Sequence, residues 1–465
     1  MVSLTAKAIH FLTTRSLTSS SIRRMSTTTE TAFKRKEAEE ESSCEENKKR
    51  WRGESDEDLL DTKYCETEYY FDGYLRKVYP YYYTYKSFCK RRWIGRKLSE
   101  VLSHEFRVLK EGQLEYKFKV GDVRVNESLV DIDYVLKDLD RISSRVHRHE
   151  LPVLSTSIKV VHEDDNYVVI NKPPSLPVHP CGRYRFNSTI ALLYKEYGYK
   201  KLYIAHRLDR LTSGLLILSK NVQTAAKLAE EITSRTVCKQ YVCRVEGDFR
   251  VNDQEKVIVD KKLKIICKKI GLSVVTEDDD NQGKESTTEF EKLSFNGKSS
   301  LVLCKPKTGR THQIRVHLQF LGYPIVNDPL YNSTAFGPKK GKDGDYNGMT
   351  MDELIKELRK HHDVGDWIER SQEGNIIGIS EDYVDPEEHD STLAYLQDVD
   401  FVKKESTFDP TKVALDPFCP ECDVRYMNPK AKHLMLFLHA LSYSGQGWSF
   451  KTDMPFWAKD DYTAL

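Results

Sequence analysis

The 465-residue chain lacks several features that would have assigned it to common classes. No apolar run approaches the roughly 20 residues of a spanning helix, so no membrane partner is expected. There is no GxGxxG opening a helix and no GxxxxGK[ST], so neither a dinucleotide nor a nucleoside-triphosphate site is indicated and no cofactor is expected. The ten cysteines are scattered and no secretory signal precedes them, which reads as reduced thiols, not a disulfide framework. Cys419-Pro420-Glu421-Cys422 has half the spacing of a zinc site, but no second CxxC or CxxH follows it. A loop turn without metal is therefore the expectation, with a structural zinc completed by distant residues as the alternative.

Net charge is also nearly absent, at +1, yet the average hides segregation. From Tyr69 to Lys119 there are twelve Lys or Arg against five acids; from Asp343 to Asp409 there are six against nineteen. RNA contact is expected on the first stretch and not on the second. Residues 1–29 carry no acid, four Lys or Arg and thirteen Ser or Thr, the composition of a mitochondrial presequence. Met25 follows Arg23-Arg24, so a shorter cytoplasmic product is conceivable. Residues 30–68 are highly charged and short of core residues, and disorder is expected there.

What the chain does have is the string His206-Arg207-Leu208-Asp209, followed by Thr212-Ser213-Gly214-Leu215-Leu216. It places an acid two positions from an arginine in a turn between two apolar runs. An opposite charge within a few ångströms favours the ionised carboxylate, and a carboxylate so held can act as a nucleophile. An isolated Arg/Asp pair would more often be a structural salt bridge. Three further stretches accompany it. Asp165 to Pro174 reads as a turn and a buried strand running into a proline-stiffened loop, followed by Cys181-Gly182-Arg183-Tyr184-Arg185-Phe186-Asn187. Lys239 to Val245 alternates as a half-buried strand. Thr308 to Leu318 follows an apolar strand, and Thr311 can cap a helix with Ile314, Leu318 and Leu321 toward the core and His312, Arg315 and Gln319 on another face.

Taken together these stretches resemble the RluA-type pseudouridine synthases, closest to the fungal, mitochondrial type that acts on tRNA at anticodon-loop position 32. The string Gly322 to Tyr331 also fits that family. The resemblance implies an isomerase with an α+β catalytic domain, a mixed and largely antiparallel sheet with flanking helices, over residues 155–450. An acidic insertion interrupts it at about 335–430, and a C-terminal tail is expected over 451–465. It implies Asp209 as nucleophile, Tyr241 stacking beneath the uracil and moving the proton that leaves carbon five, and Arg315 pairing with Asp209. Arg207 is the wedge that fills the space of the flipped nucleotide, with His206, Arg310 and Lys172 as further substrate contacts. No redox change or energy source is needed, in keeping with the absent cofactor motifs. A glycoside hydrolase would need a second carboxylate in a like context.

Residues 69–150 resemble the small αL-type RNA-binding module appended to many of these enzymes. Ile94, Leu98, Val101 and Leu102 recur at helical spacing beneath Arg91, Arg92, Arg96 and Lys97, ahead of a turn and strand at Val120 to Asn126. The partner is thus tRNA, and a monomer is expected. Two rivals stand beside this reading. One is an RNA-binding or mitoribosome-associated protein that keeps the fold without the activity. The other is a pyrimidine deaminase, which needs HxE and PCxxC elements; no HxE precedes a PCxxC here.

Overall fold

The structure is a computed structural model that describes residues 64–105, 112–277, 279–361, 405–422, 424 and 426–462. The expected presequence, most of the charged segment and residues 362–404 of the insertion lie outside the described residues. The disorder expected through residue 68 does not hold at Tyr64, which is buried, with its ring edge-on to Phe186 and beside Tyr194.

The aromatic and β-branched residues that follow form β1 (Tyr69–Asp72), β2 (Leu75–Val78) and β3 (Tyr81–Phe88). The basic stretch does not continue as one helix. A 3₁₀ turn at Arg91–Trp93 ends at Ile94, and Gly95 adopts φ +80°, so α1 (Leu98–Glu105) begins after the arginines. Ile94, expected beneath them, is 41% exposed, and its place in the core is taken by Trp93. Then come α2 (Gln113–Lys119), β4 (Val123–Val125), β5 (Ser128–Leu129) and β6 (Arg141–Arg148), giving a sheet of order β3-β6-β4-β5. Trp93, Leu98, Val101, Leu102, Val123, Val125 and Ile142 form the separate core of this module.

β7 (Val153–Leu154) pairs with β2 and leads into the larger part of the chain. Its elements are β8 (Lys159–Glu163), β9 (Tyr167–Lys172), α3 (Thr189–Tyr197), β10 (Tyr203–Ile204), β11 (Ser213–Ser219), α4 (Val222–Thr233) and β12 (Cys238–Glu246). They continue with β13 (Lys256–Asp260), the hairpin β14 (Leu263–Cys267) and β15 (Leu272–Val275), β16 (Thr287–Phe295), β17 (Ser299–Pro306) and α5 (Gln313–Phe320). After α6 (Met351–His361), β18 (Leu438–Gly445) and β19 (Trp448–Lys451) close the order. Ten strands share one sheet, β13-β16-β17-β12-β18-β11-β9-β8, with β10 on β11 and β19 on β18. Every pairing is antiparallel except β11 with β18, where Ser213 and Gly214 lie beside His439 and Ala440. The architecture is α+β, with the mixed and largely antiparallel sheet that the resemblance implied.

The parallel junction explains the glycine of the central string. Gly214 has φ +106°, and a Cβ there would stand 2.3 Å from the Ala440 carbonyl oxygen. Only glycine lets the strand that follows Asp209 lie this close to its neighbour.

One expected boundary is corrected. Residues 451–462 are not a tail: Trp457, Ala458 and Tyr462 are buried in the main core, and Arg244 donates to the carbonyls of Trp457 and Lys459. The insertion also begins as packed structure, since Leu354 and Leu358 of α6 are buried against Leu263, Leu272, Tyr331 and Phe336.

Candidate active site

Asp209 lies in the loop between β10 and β11, whose apolar flanks anchor it at both ends. Leu208 and Leu211 are buried in the core, and the Asp209 carbonyl accepts from the Thr212 amide at 3.2 Å. Lys172, at the end of β9, ties this loop to its neighbour. Its Nζ donates to the carbonyls of Pro173 (2.9 Å), Leu176 (2.8 Å) and Arg210 (3.3 Å). Lys172 is 0% exposed, so the expected substrate contact is corrected: three carbonyls take the donors of this ammonium. Burial pushes its pKa down to about 7.

His206, half-buried, also pins backbone. Its Nε2 accepts from the Ile217 amide at 3.1 Å and its ring meets Tyr443 edge-on at 5.3 Å, so it faces β11 and is not among the side chains that line the cleft. Burial lowers its pKa to about 4, leaving an uncharged imidazole at neutral pH.

The cation beside Asp209 comes from α5. Arg315 Nη1 stands 3.7 Å from Asp209 Oδ2, while its Nε and Nη2 each donate at 2.7 Å to the two oxygens of Asp328. Asp328 is buried and also accepts from the amides of Leu330 and Tyr331, so the guanidinium is clamped in a fork. In the sequence Asp328 is one member of the string Gly322 to Tyr331 with no mark of its own; its role shows once the fold brings it to Arg315. His312, not Thr311, occupies the N-cap position of α5, at φ 56°. Arg315 and Gln319, on the face away from Ile314 and Leu318, are buried too, because the hairpin β14–β15 and Tyr331 cover that side.

A second group reaches Asp209 that sequence reasoning missed. His312 Nε2 is 3.7 Å from Asp209 Oδ2, and its Nδ1 is 3.0 Å from the Tyr331 hydroxyl. The Ser273 amide donates to that hydroxyl, and with the hydroxyl proton turned to Nδ1 the ring's own proton would sit on Nε2, toward Asp209. Burial, then Arg315, lowers the His312 pKa to about 4, so the imidazole is neutral at pH 7.

Tyr241 enters from β12 beside a bulge between Gln240 and Tyr241, and its hydroxyl hydrogen-bonds that of Tyr443. Burial pushes its pKa up to about 12, so the phenol keeps its proton. Arg207, Asp209, Tyr241, Arg310 and Arg315 together line a cleft of about 330 Å³. An adjoining cavity of about 280 Å³ shares Arg207, Asp209 and Arg315 and adds His179 and Cys181. Asp209 is the single carboxylate lining either space among the described residues. Arg207 is exposed at the mouth, and Arg310 donates from Nε to the Glu285 carbonyl at 3.1 Å.

The basic residues of the module are elsewhere and partly engaged. Arg92 forks onto Glu105 and Lys97 pairs with Asp133 at 2.8 Å, both at the surface. Arg91 and Arg96 flank them on the turn and connector before α1.

A single fixed carboxylate among arginines and an aromatic face suits a rearrangement of a planar base at a sugar, with no paired acid and base for hydrolysis. A family model described as RNA pseudouridylate synthase matches residues 166–320, which carry the Asp209 loop, Tyr241 and Arg315. The human pseudouridylate synthase RPUSD2 is 40% identical over 432 residues, covering 86% of this chain and 77% of that protein. The mitochondrial tRNA pseudouridine(32) synthase of Saccharomyces cerevisiae is 41% identical over 343 residues, covering 71% of this chain and 73% of its own. The tRNA pseudouridine(31) synthase of the same yeast is 31% identical over 442 residues, covering 85% and 98%. The chain belongs to the RluA-type RNA pseudouridine synthases, which are isomerases.

Proposed function

We propose that the chain converts uridine to pseudouridine in the tRNA anticodon loop, at position 32, with Asp209 as nucleophile. The observation that carries the chemistry is the lone carboxylate of the cleft, 3.7 Å from a guanidinium that Asp328 holds in place. Asp209 attacks the flipped nucleoside at the sugar or the base, the bond from ribose to N1 breaks, and the base turns and rejoins through carbon five as the bond to Asp209 is released, the proton lost from carbon five being balanced by one taken up at N1. Tyr241 offers a ring for the uracil to stack on and a protonated hydroxyl, linked to Tyr443, near the proton that must leave carbon five. Arg315 holds Asp209 in register, and His312 Nε2 faces the same carboxylate. Arg207, exposed at the mouth, fills the space of the flipped nucleotide, and Arg310 lies at the rim for the backbone.

The tRNA address rests on the yeast position-32 relative, and position 31 is the alternative that the second yeast relative supplies. Arg91, Arg92, Arg96 and Lys97 grip tRNA phosphate, the module acts as the αL-type RNA-binding unit, and the enzyme works as a monomer. The acid-free composition of residues 1–29 and the mitochondrial yeast relative support a mitochondrial enzyme, with a cytoplasmic product starting at Met25.

Asp209→Asn tests the chemistry. It should lose all measurable pseudouridine formation while tRNA binding stays nearly unchanged, because one group is altered among the many that meet phosphate. Residual turnover above about one per cent of wild type would remove Asp209 from the nucleophile's role. Mapping pseudouridine in mitochondrial and cytosolic tRNA with and without the protein tests the address.

A further inference from the structure

The Cys419/Cys422 pair, for which sequence offered no completing ligands, meets two histidines from a strand more than two hundred residues upstream. His147 lies on β6 and His149 one residue beyond its end, so the two share a face of an extended segment. Cys422 Sγ is 3.4 Å from His147 Nδ1 and 3.3 Å from His149 Nε2, and one ligand atom from each of the four residues lies within 4.8 Å of every other. A tetrahedral zinc with sulfur at about 2.3 Å and nitrogen at about 2.0–2.1 Å sets those atoms about 3.5 Å apart. Both cysteines are buried thiols, and the Asp416 amide donates to Cys422 Sγ at 3.4 Å.

We propose that His147, His149, Cys419 and Cys422 bind one zinc ion that staples the returning leg of the acidic insertion to the N-terminal module. Two thiols bind as thiolates, releasing two protons to solvent, and two neutral imidazoles complete the shell. Two sulfurs and two nitrogens in a tetrahedron select zinc over harder cations.

The site is closed and structural. Four protein ligands leave no position for a reacting water, and Glu150, the carboxylate next to His149, is already committed. It accepts from the Tyr81 hydroxyl at 2.7 Å and from the amides of Arg185 (2.9 Å), Phe186 (2.9 Å) and Asn187 (3.0 Å). The deaminase reading therefore finds no general base here.

The residues between each ligand pair reach the same loop. Arg148, between the histidines, donates to the Gly182 carbonyl at 2.9 Å, and Glu421, between the cysteines, pairs with Arg183 at 2.6 Å. That loop carries Cys181, which lines the cavity beside Asp209. Phe418 stacks on Tyr116 of α2 at 4.0 Å on the insertion side. The zinc thus fixes one wall of the substrate cavity as well as the leg of the insertion.

The test is elemental analysis of the untagged full chain purified under reducing conditions from zinc-supplemented cells. One zinc per chain is expected, and cobalt exchanged into the site should give the thiolate charge-transfer and tetrahedral ligand-field bands of a two-sulfur site. Cys419→Ser and Cys422→Ser should lose the metal, while Cys238→Ser and Asp209→Asn keep it. Chelation should speed tryptic cleavage at Lys412. Metal far below one per chain, zinc retained by the Cys419→Ser/Cys422→Ser double variant, or a Cys419–Cys422 disulfide in the reduced preparation would overturn the site. Cleavage at Lys412 that ignores the chelator would overturn the staple. If the serine variants fail to fold, the wild-type stoichiometry and the cobalt spectrum decide.

Discussion

In the catalytic body, Arg315 and Asp328 form a fork in which the side chains are 6% and 0% exposed. In the N-terminal module, Arg92 with Glu105 and Lys97 with Asp133 form pairs whose cations are 60% and 50% exposed. The first arrangement cannot trade partners, because a buried guanidinium has no water to fall back on. It is a fixed frame from which the third arginine nitrogen is aimed at Asp209. The second can trade, since solvent-exposed pairs contribute little and release their cations readily to phosphate. A pairing of cation with carboxylate thus sets geometry in one region and leaves exchangeable charge in the other, and burial is what separates the two.

The largest break in that comparison is Asp328→Ala. It strands the Arg315 guanidinium in the core, so stability should fall by about 3–5 kcal/mol, and turnover should fall with the loss of the frame behind Asp209. Urea titration read by circular dichroism measures the first, and pseudouridine release from tRNA the second. A midpoint equal to that of wild type would mean the fork does not anchor α5.

How far the sequence discloses these regions follows from the distance over which each is assembled. The Asp209 string is legible because its parts are contiguous: Gly214 explains itself through one close backbone approach, and the apolar run of β11 is buried along its length. Tyr241 is legible through the family resemblance alone, since an alternating strand by itself would read it as a core aromatic. Asp328 and His312 do not stand out as site residues, since a buried acid is recognisable only beside its cation and His312 owes its place to a positive-φ cap. His206 and Lys172 read as substrate contacts in the sequence because charge and polarity in a signature suggest ligands. The fold instead spends them on backbone groups that would otherwise be unpaired. The basic helix is interrupted for a local reason, a glycine at positive φ between Ile94 and Arg96, and the packing of residues 451–462 is hidden because their buried side chains, Thr452, Trp457, Ala458 and Tyr462, carry no periodicity.

A change of pH sharpens the contrast through two histidines of the body. His317 sits between the hydroxyls of Ser286 and Thr288, and His439 between those of Ser213 and Thr452. Burial lowers the pKa of each to about 4 from an ordinary 6.5. Between these values the unfolded chain binds protons that the folded one refuses, so stability rises with pH across the window and is lost as pH falls from 6.5 toward 4. Each refused proton adds about 1.4 kcal/mol per pH unit to the slope. Urea midpoints taken between about pH 7 and 4 should drop with a slope to which His317 and His439 add up to two protons beside those of His206 and His312, whose pKa values burial also lowers to about 4, and His439→Gln should make it shallower. A midpoint flat over that range would mean that these imidazoles are not held neutral.

The smallest effect on the folded state, and the sharpest on binding, should come from replacing Arg91, Arg92, Arg96 and Lys97 together with glutamine. Arg92 and Lys97 give up surface pairs, Arg92 also loses its place 5.5 Å over the Trp93 ring, and the side chains of the module core, Trp93, Leu98 and Val101, are kept, so the urea midpoint should move little. Binding should respond differently. Every phosphate that the variant no longer neutralises lowers the slope of log affinity against log salt by somewhat under one unit, so tRNA should bind more weakly at low salt and less salt-dependently. Turnover at saturating tRNA should survive, because Asp209, Tyr241 and the Arg315–Asp328 fork lie in the other region. Titrations of tRNA at several ionic strengths, with single-turnover rates at each, separate the two. An unchanged salt slope would assign these four cations to solvent and move the phosphate grip to the Arg207 and Arg310 rim of the cleft, where affinity and chemistry could no longer be separated by mutation.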